Sequence, residues 1–451
     1  MAGVPIRSQQ IAWGDLEAVA PAHHAEAGDA VCGRVPERAI EPASQEQVAS
    51  ILRWANNNGI AVAPRGNGTK IGWGTPPSDL DLLISLRRMD QVLEHASGDM
   101  TATVEPGCTV ADFQRKLAEH GQRLAVDPLF PRQATIGGIL ACNDSGSLRV
   151  RFGSLRDLLI GVTLALPDGT LARSGGKVVK NVAGYDLPKL AIGSLGTLGI
   201  ITQAIFRLHP LPQAEQTLSF EFETAAAANR AVLALLDSVL TFTGLQLRFF
   251  PAQQKQQGAS STISAGAPLC LLDVRFEGVR EAVEDQARRT ERILRNLAGG
   301  YAGTRLEPVD ASAEAEAAAA AWRAPSDLWD AAPSAIAKFS VLPSDIGSLL
   351  DGVRSQAEPA GIRVRAVAQA VGTGLLRLDG PDEELAGIIR NLRKAIAPRH
   401  GSLVLLHGSE SLRRQVGVWG DTGTALRLMR RMKDQFDPKG ILNRGRFVGG
   451  I

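Results

Sequence analysis

The chain has 451 residues, of which 44% are hydrophobic and 21% are charged, and its formal net charge is +2. This length exceeds that of one ordinary core and predicts two or three domains, while the near-neutral charge gives no electrostatic reason to expect a nucleic-acid partner. No run of about 18 apolar residues predicts a membrane span, and the N-terminal MAGVPIRSQQ lacks a signal-peptide core. We therefore expect a cytoplasmic protein, with peripheral association at the inner face of the membrane only through a complex.

The four cysteines lie far apart in the chain: Cys32, Cys108, Cys142 and Cys270. This spacing predicts reduced thiols rather than a disulfide framework. It also excludes a CxxC zinc site or an iron–sulfur cluster held by this chain alone. No metal site is predicted.

The first part of the chain alternates between predicted helices and strands. A helix is predicted after Ser44, which forms a capping box with Gln47, and it ends at Gly59. An apolar strand then leads into the glycine-rich turn RGNGTK, and a further helix is predicted after Thr109. This alternation favours an α/β arrangement.

The segment APRGNGTKIG, residues 63–72, contains G-x-G-x-x-x-G, one residue away from the dinucleotide fingerprint. The following GWGTPP forbids the helix that a Rossmann site needs, which opposes an NAD-dependent dehydrogenase. Thr69 precedes Lys70 where a Walker A loop requires glycine. Successive backbone N–H groups could still hold a phosphate; a tight loop without a ligand is the alternative.

Two further glycine-rich segments follow, ATIGGILACNDSG at 134–146 and GSLGTLGIIT at 193–202. We expect short strands punctuated by glycines in this region, including a hairpin with an Asp-Gly turn at 168–169. The segment at 134–146 is by itself equally compatible with a structural hairpin. Three uncharged glycine-rich loops together predict a long anionic cofactor that lies across several loops.

Proline residues after the strand IITQAIFRLHP predict a domain boundary near residue 212. We expect a first domain over 1–212, a central domain over 213–404 and a C-terminal segment, 405–451, that returns to the first domain. The alanine-rich stretch 312–325 predicts a surface helix, and the last helix is expected near 424–436.

Several motifs resemble the FAD-binding domain of the PCMH-type (vanillyl-alcohol oxidase-like) flavoproteins: PRGNGTK, VEPGCTVADF, DPLFPRQATIGG, VKNVAGYDLPKLAIGSLGTLGIITQAIFRLHP and DPKGILNRGRF. The resemblance covers 40–212 and 434–448. Within that superfamily KNVAGYDL joined to IGSLGTLGIIT is most similar to the bacterial glycolate oxidase FAD-binding subunits. Catalytic D-lactate and glycolate dehydrogenase chains usually carry glutamate where this chain has Leu195, whereas the second, E-type subunit carries leucine.

The resemblance implies an α+β fold: a PCMH-type FAD-binding domain of two α/β subdomains plus an α/β cap domain. It also implies FAD as the cofactor, bound non-covalently because PRGNGTK has no histidine for a flavin link. By the same resemblance the pyrophosphate would bind at Arg65, Gly66, Asn67, Gly68 and Thr69. The ribityl and diphosphate region would be lined by Pro128, Thr135, Ile136, Gly137, Gly138, Asn143 and Gly146. Gly199 and Ile200 would contact the adenine side of FAD, and Asn443 and Arg446 would cover its isoalloxazine ring.

The motifs that carry catalysis in the resembled family are altered in this chain. Hydroxy-acid-oxidising relatives carry GHxGDGN and GEHGIG motifs; here the corresponding stretch is AQAVGTGLLRL, with Gln369 in place of the histidine and Thr373 in place of the acid. Nothing reads GEHGIG, so no catalytic residue is assigned. His407 follows an apolar strand and is interpreted as structural rather than as a base. Arg363 and Arg365 could clamp a carboxylate, although the solvated face of a strand is the preferred interpretation.

Two functions follow from these observations. In the first, the chain is an FAD-binding subunit of a glycolate oxidase (dehydrogenase) complex that converts glycolate, a 2-hydroxy acid, to glyoxylate. A sister FAD-binding catalytic subunit would oxidise the acid and an iron–sulfur subunit would take the electrons. In the second, the chain is a stand-alone FAD-dependent dehydrogenase of D-lactate or another 2-hydroxy acid.

Overall fold

The computed structural model describes residues 13–177, 186–250, 269–297, 303–305 and 311–451. Most of the motif KNVAGYDL lies outside these residues. The helices are α1 (Gly14–Glu17), α2 (Gln45–Asn58), α3 (Val110–Ala118), α4 (Ile136–Cys142), α5 (Arg149–Phe152), α6 (Leu155–Leu158), α7 (Leu187–Ala191), α8 (Ala225–Leu236), α9 (Arg280–Arg295), α10 (Ala311–Asp327), α11 (Ile346–Ala357), α12 (Asp382–Ile396), α13 (Glu410–Val416) and α14 (Leu426–Phe436).

The strands are β1 (Ala22–His24), β2 (Arg38–Ile40), β3 (Val62–Arg65), β4 (Leu82–Ser85), β5 (Val92–Ala96), β6 (Thr101–Val104), β7 (Gln122–Arg123), β8 (Leu159–Ala165), β9 (Leu171–Gly175), β10 (Ile200–Arg207), β11 (His209–Pro210), β12 (Ala214–Phe222), β13 (Gly244–Phe250), β14 (Leu269–Gly278), β15 (Gly303–Arg305), β16 (Ala335–Ser340), β17 (Arg363–Gln369), β18 (Thr373–Asp379) and β19 (Ser402–His407).

A small sheet with the order β1-β2-β4-β3 forms the first subdomain, and β2, β4 and β3 run parallel. Ser44 caps α2 by accepting from the N–H of Gln47, and Gly59 ends the helix in a left-handed conformation. The C-terminal segment joins the free edge of β3, because Val62 donates to the Ile441 carbonyl at 2.8 Å and Asn443 donates to the Val62 carbonyl at 2.8 Å. The two ends of the chain therefore build one subdomain.

The second subdomain is an antiparallel sheet with the order β5-β6-β10-β8-β9. Its core includes Phe113 and Leu117 of α3, as the sequence predicts, and Phe206 of β10. The predicted Asp-Gly hairpin joins β8 to β9, where Gly169 donates to the Leu166 carbonyl at 2.9 Å. The segment at 134–146 differs from the prediction of short strands, because its centre forms α4.

The cap is an antiparallel sheet with the order β15-β12-β14-β13-β17-β18-β16-β19. One face packs its apolar side chains, among them Leu247, Phe276 and Phe339, into a core with α8, α9, α11 and α12. The other face carries polar side chains, including Gln246 and Lys338, and looks toward the first domain. The three sheets, together with the helices that pack on them, confirm the α+β fold class.

The division of the chain at residues 212 and 404 stays a proposal. The sheet of the cap begins at Ala214 in β12, but residue 404 falls inside β19, which pairs with β16 through His407. We therefore place the return to the first domain after β19 and α13, since Leu412 of α13 packs in the core of the cap.

Polar contacts hold the cap on the first domain. Arg123 donates to both carboxylate oxygens of Glu277, at 2.9 and 2.5 Å. Arg413 donates to the carbonyls of Gly74 and Gly72 at 3.0 and 3.2 Å. These contacts hold the cap and the first domain together around the cleft between them.

Candidate functional site: two adjoining clefts

The first cleft lies in the first domain. The turn after β3, the start of α4, the loop before β10 and the C-terminal segment meet there. Its wall includes the predicted residues Arg65, Gly66, Asn67, Gly68, Thr69, Thr135, Gly137, Gly138, Gly199, Ile200, Asn443 and Arg446.

The turn from Gly66 to Lys70 presents free backbone donors to this cleft. Within the described ranges, none of its five N–H groups donates a hydrogen bond. Gly68 takes a left-handed φ of 78°, which lets successive amides point to one side. No helix follows the turn, in agreement with the exclusion of a Rossmann site. A row of unpaired N–H groups fits a diphosphate.

The side chain of Arg65 serves the fold rather than the cleft. Its guanidinium donates to Asp29 Oδ1 and to the Gly28 carbonyl, both at 2.7 Å. Burial acts to raise the pKa of Asp29, but the N–H of Glu26 and the guanidinium of Arg65 outweigh it and hold this pKa below its usual range. The guanidinium of Arg65 is therefore not left for a ligand, whereas the backbone of the turn is.

The start of α4 closes tightly on the same turn. Thr135 caps the helix by accepting from Gly138 N–H at 3.3 Å. A β-carbon at Gly66 would lie 2.2 Å from Thr135 Oγ1, and one at Gly137 would lie 2.8 Å from Pro106 Cβ. Gly66 and Gly137 are therefore required because their backbones pack directly against the side chains of Thr135 and Pro106.

The loop before β10 forms the third side of the cleft. Leu195 takes a left-handed φ of 51°, and its N–H donates to the Ala141 carbonyl at 2.9 Å. Asn443 Nδ2 donates to the Leu195 carbonyl at 2.5 Å. A β-carbon at Gly196 would lie 2.9 Å from Pro64 Cγ. The C-terminal segment thus fixes the loop that the sequence analysis singled out.

Arg446 is buried and connects the C-terminal segment by hydrogen bonds to the turn after residue 70. It donates to the carbonyls of Ile71 and Trp73 at 2.6 and 2.7 Å, and its Nε has no partner among the described residues. Arg444 reaches Asp79 at 3.1 Å and the Gly59 carbonyl at 3.3 Å. Arg444 and Arg446 therefore hold the C-terminal segment against the first subdomain.

Two predicted residues lie outside both clefts. Ile136 is fully buried in the core of the second subdomain, and its N–H already donates to the Cys108 carbonyl at 2.9 Å. Pro128 is buried and has no N–H to offer. The remaining two, Asn143 and Gly146, line the second cleft.

The second cleft lies between the first domain and the cap sheet. From the first domain its wall includes Trp73, Asp127, Leu129, Asn143, Asp144, Ser145, Gly146, Ser147 and Arg149. From the cap it includes Gln246, Trp322, Pro325, Lys338, Val367, Gln369, Thr373, Gly374 and Leu375. Because Cys142 lines the first cleft and Asn143 the second, the clefts adjoin at the end of α4.

Strand register explains which cap side chains face this cleft. Gln246 pairs with Gln369 across β13 and β17, and Lys338 pairs with Leu375 across β16 and β18. Directly paired residues share a face, and so do residues two apart. Thr373 Oγ1 also donates to Gln369 Oε1 at 3.1 Å. The two positions that the sequence analysis compared with a catalytic histidine and acid therefore do face the cleft.

Two buried ion pairs border the cleft. Lys70 Nζ lies 3.1 Å from Asp144 Oδ2 and donates to the Leu129 carbonyl at 3.2 Å. Arg275 Nη2 lies 3.3 Å from Asp127 Oδ2. Burial raises the pKa of Asp127, although Arg275 and Ser147 oppose this rise.

Lys338 and Arg149 are cleft residues that the sequence analysis missed. Burial lowers the pKa of both, and the positive charge of Arg149 further lowers that of Lys338 while Asp144 opposes the shift. A lysine inside the apolar strand AIAKFSV was the signal that could have revealed the first. Nothing in the local pattern around Arg149 distinguishes it from its exposed neighbour Arg151.

The alanine-rich helix α10 is not only a surface helix. Trp322 and Pro325 line the second cleft, and Trp322 Nε1 donates to Thr217 Oγ1 at 2.9 Å. Arg275 lies over the Trp322 ring, 4.3 Å from its centroid. The predicted helix is correct, but one side of it covers the cleft.

His407 and the arginines of β17 lie away from both clefts. His407 meets Trp329 edge-on, with ring centroids 6.2 Å apart. Arg363 is exposed and Arg365 half-buried. In the described part of the chain no group of three His, Cys, Asp or Glu side chains is placed to hold a metal ion. None of its helices is long and apolar enough to cross a bilayer.

Comparison with known proteins agrees with this architecture. Residues 36–175 match the family described as "FAD binding domain", and residues 211–447 match "FAD linked oxidases, C-terminal domain". Glycolate oxidase subunit GlcD of Bacillus subtilis is 28% identical over 91% of this chain and 89% of its own. The probable mitochondrial D-lactate dehydrogenase of Danio rerio is 26% identical over 92% and 85%.

A solved structure shows the same fold at low identity. The 4-ethylphenol oxidase of Gulosibacter chungangensis superposes with a TM-score of 0.69 over 97% of this chain and 93% of its own, at 17% identity. The second family match alone spans more than half of the chain. The chain therefore belongs to the FAD-linked oxidases, and its cofactor is FAD.

Proposed function

We propose that the chain is the FAD-carrying subunit of a 2-hydroxy-acid-oxidising complex of the glycolate oxidase type. A sister flavoprotein subunit removes hydride from the acid, and an iron–sulfur subunit receives the electrons. Bound FAD supplies the hydride and electron chemistry, while the protein supplies binding and orientation. The similarity to the Bacillus subtilis glycolate oxidase subunit over nearly the whole chain supports this assignment.

The observation that carries the proposal is the pair Gln369 and Thr373 on the cap side of the second cleft. An amide and a hydroxyl that bond to each other cannot take a proton from a substrate hydroxyl at neutral pH. Leu195, in place of the glutamate usual in catalytic chains, points the same way. These features favour a subunit that passes electrons on.

The chain's own residues hold FAD without a covalent link in this proposal. The free amides from Gly66 to Lys70 bind the diphosphate, and the Asn443 side chain fixes the loop beside it. Acid precipitation of the purified protein tests this: FAD is expected in the supernatant. Flavin retained in the pellet would contradict non-covalent binding.

A stand-alone 2-hydroxy-acid dehydrogenase is the second candidate, and one observation favours it. Lys338 and Arg149 leave positive charge in the second cleft, which suits the carboxylate of an acid substrate. The similarity to a D-lactate dehydrogenase from Danio rerio is consistent with this candidate.

One experiment separates the two candidates. The FAD-loaded chain is mixed anaerobically with glycolate or D-lactate, first alone and then with the sister and iron–sulfur chains, and flavin absorbance is followed. Bleaching only after the partner chains are added supports the relay subunit. Rapid bleaching of the chain alone would overturn it in favour of the stand-alone enzyme.

A further inference from the structure

We propose that the second cleft binds a dicarboxylate, whose two negative groups pair with Arg149 and Lys338 from opposite sides of the domain interface. The inference rests on the stand-alone candidate of the proposed function, in which this chain itself binds the 2-hydroxy acid, and it narrows the substrate class: that acid carries a second carboxylate.

The two cations come from different domains and meet at one cleft. Arg149 begins α5 in the first domain, whereas Lys338 lies in β16 of the cap sheet. Both are half-buried and both line the cleft. Neither side chain forms a hydrogen bond or an ion pair with any residue in the described ranges.

The other charged side chains of this wall are already compensated. Asp144 is paired with Lys70 at 3.1 Å and Asp127 with Arg275 at 3.3 Å. Asp157 is close enough to raise the pKa of Arg149, but its Oδ2 accepts from both the N–H and the hydroxyl of Ser154, at 2.7 and 2.9 Å. The cleft therefore keeps two cations without an ion-pair partner among the described residues; Asp157 and Asp144 act on them only from a longer distance.

Partly buried cations that repel each other are costly unless a ligand compensates them. Burial lowers the pKa of Lys338 most strongly; the charge of Asp144 opposes this shift, and the charge of Arg149 adds to it. One carboxylate satisfies one of the two cations, while a ligand with two carboxylates satisfies both.

Because the cations belong to separate domains, the ligand spans the interface. A bound dicarboxylate replaces repulsion between the cap and the first domain with two charge-assisted contacts. We therefore expect dicarboxylates, and not monocarboxylates, to raise the temperature at which the FAD-loaded chain unfolds.

The test measures binding of acids that lack the hydroxyl and so cannot be oxidised. Isothermal titration of the FAD-loaded full chain compares succinate and glutarate with propionate and butyrate. We expect the dicarboxylates to bind at least tenfold more tightly to the wild type. Arg149→Gln and Lys338→Met should each weaken dicarboxylate binding by about tenfold to a hundredfold, the range for one hydrogen-bonded charge contact, and remove the preference.

Matched controls separate this effect from a general loss of charge or of folding. Arg151→Gln removes an exposed arginine from the same helix and Lys394→Met an exposed lysine from the cap, and both should keep the preference. Arg149→Lys keeps the positive charge and should therefore keep part of the preference for dicarboxylates. Unchanged FAD content and circular dichroism verify that each variant is folded.

Equal affinity of the wild type for succinate and propionate would overturn the inference, as would a preference that survives in both neutralising variants. Absence of binding of all four acids would also count against it. Anaerobic bleaching by D-malate or glycolate, with and without the partner chains, reports separately on the proposed function. A dicarboxylate preference without bleaching by any hydroxy acid leaves the site in place and refutes the function.

Discussion

The shape of the turn from Gly66 to Lys70, which is proposed to bind the diphosphate, depends on single atoms. Gly66 has no β-carbon, and one placed there would lie 2.2 Å from Thr135 Oγ1. That hydroxyl cannot move freely because it caps α4. The turn and the helix start are therefore locked together by the absence of a side chain.

Gly66→Ala is expected to push the turn away from α4 and to weaken FAD binding at least tenfold, with a loss of about 1–3 kcal/mol in stability from overpacking. Fluorescence titration of the apoprotein with FAD measures the first effect. Gly72→Ala is the matched control, since nothing lies within 4 Å of a β-carbon there. Equal FAD affinity of the two variants would refute the steric argument.

Lys70→Met is expected to destabilise the protein by about 3–5 kcal/mol, because it leaves Asp144 buried without its cation. The side chains of this pair are 3% and 11% exposed, which removes the screening that weakens surface pairs. Denaturant unfolding measures the change. Lys116→Met breaks an exposed pair with Glu119 and should cost about 1 kcal/mol or less. A similar small cost for Lys70→Met would contradict the prediction.

At the scale of elements, the glycines of residues 134–146 led to a wrong prediction of short strands. Glycines at 137 and 138 suggested a broken strand, but they let α4 approach Pro106 and the turn at Gly66. Thr135 supplies the cap, and Ile139 and Leu140 supply the buried face. The prediction of short strands was therefore wrong, and the helix is stabilised by tertiary contacts that the local pattern does not show.

The connection from α10 to β16 depends on one buried arginine of β18. Arg377 pairs with Asp379 at 2.7 Å and donates to the carbonyls of Leu328, Asp330 and Ala331. Its planar fork satisfies acceptors that lysine cannot reach together.

Arg377→Lys is therefore expected to loosen residues 328–332, which hold Trp329 beside Trp73, and to cost about 2–3 kcal/mol. Hydrogen exchange of that segment, followed by mass spectrometry, should rise by tenfold or more. Arg363→Lys, on the exposed end of β17, is the control. Unchanged protection of the segment would show that other contacts suffice.

At the scale of the whole molecule, the ion pair between Arg123 and Glu277 joins the two domains. Burial acts to raise the pKa of Glu277, but the charge and hydrogen bonds of Arg123 outweigh it and hold the pKa below its ordinary value of 4.5. A carboxylate with a depressed pKa adds stability above that ordinary value and loses it as the pH falls through the depressed one.

Arg123→Met is expected to destabilise the protein by about 3 kcal/mol at pH 7, with a difference from the wild type that shrinks as the pH falls below about 4.5. Thermal unfolding as a function of pH measures this. Arg115→Met, which removes an exposed arginine of the same domain, should change little at any pH. A difference that stays constant into acid would contradict the assignment to Glu277.

The sequence by itself determined the local elements and the cofactor class. Helix caps at Ser44 and Thr109, the Asp-Gly hairpin and the glycine-rich turn followed by prolines are local signals, and each is confirmed in the structure. The motif resemblance supplied FAD, which the family comparison confirms.

Only the tertiary structure decided what faces the clefts. Arg149 and Lys338 are 189 residues apart in the chain and belong to different domains, so no local pattern brings them together. Gln246 and Gln369 are also distant in the chain, and the order of the strands in the sheet places them side by side. Pairing between distant strands and packing between domains depend on long-range contacts, and these fix both the charge and the shape of the second cleft.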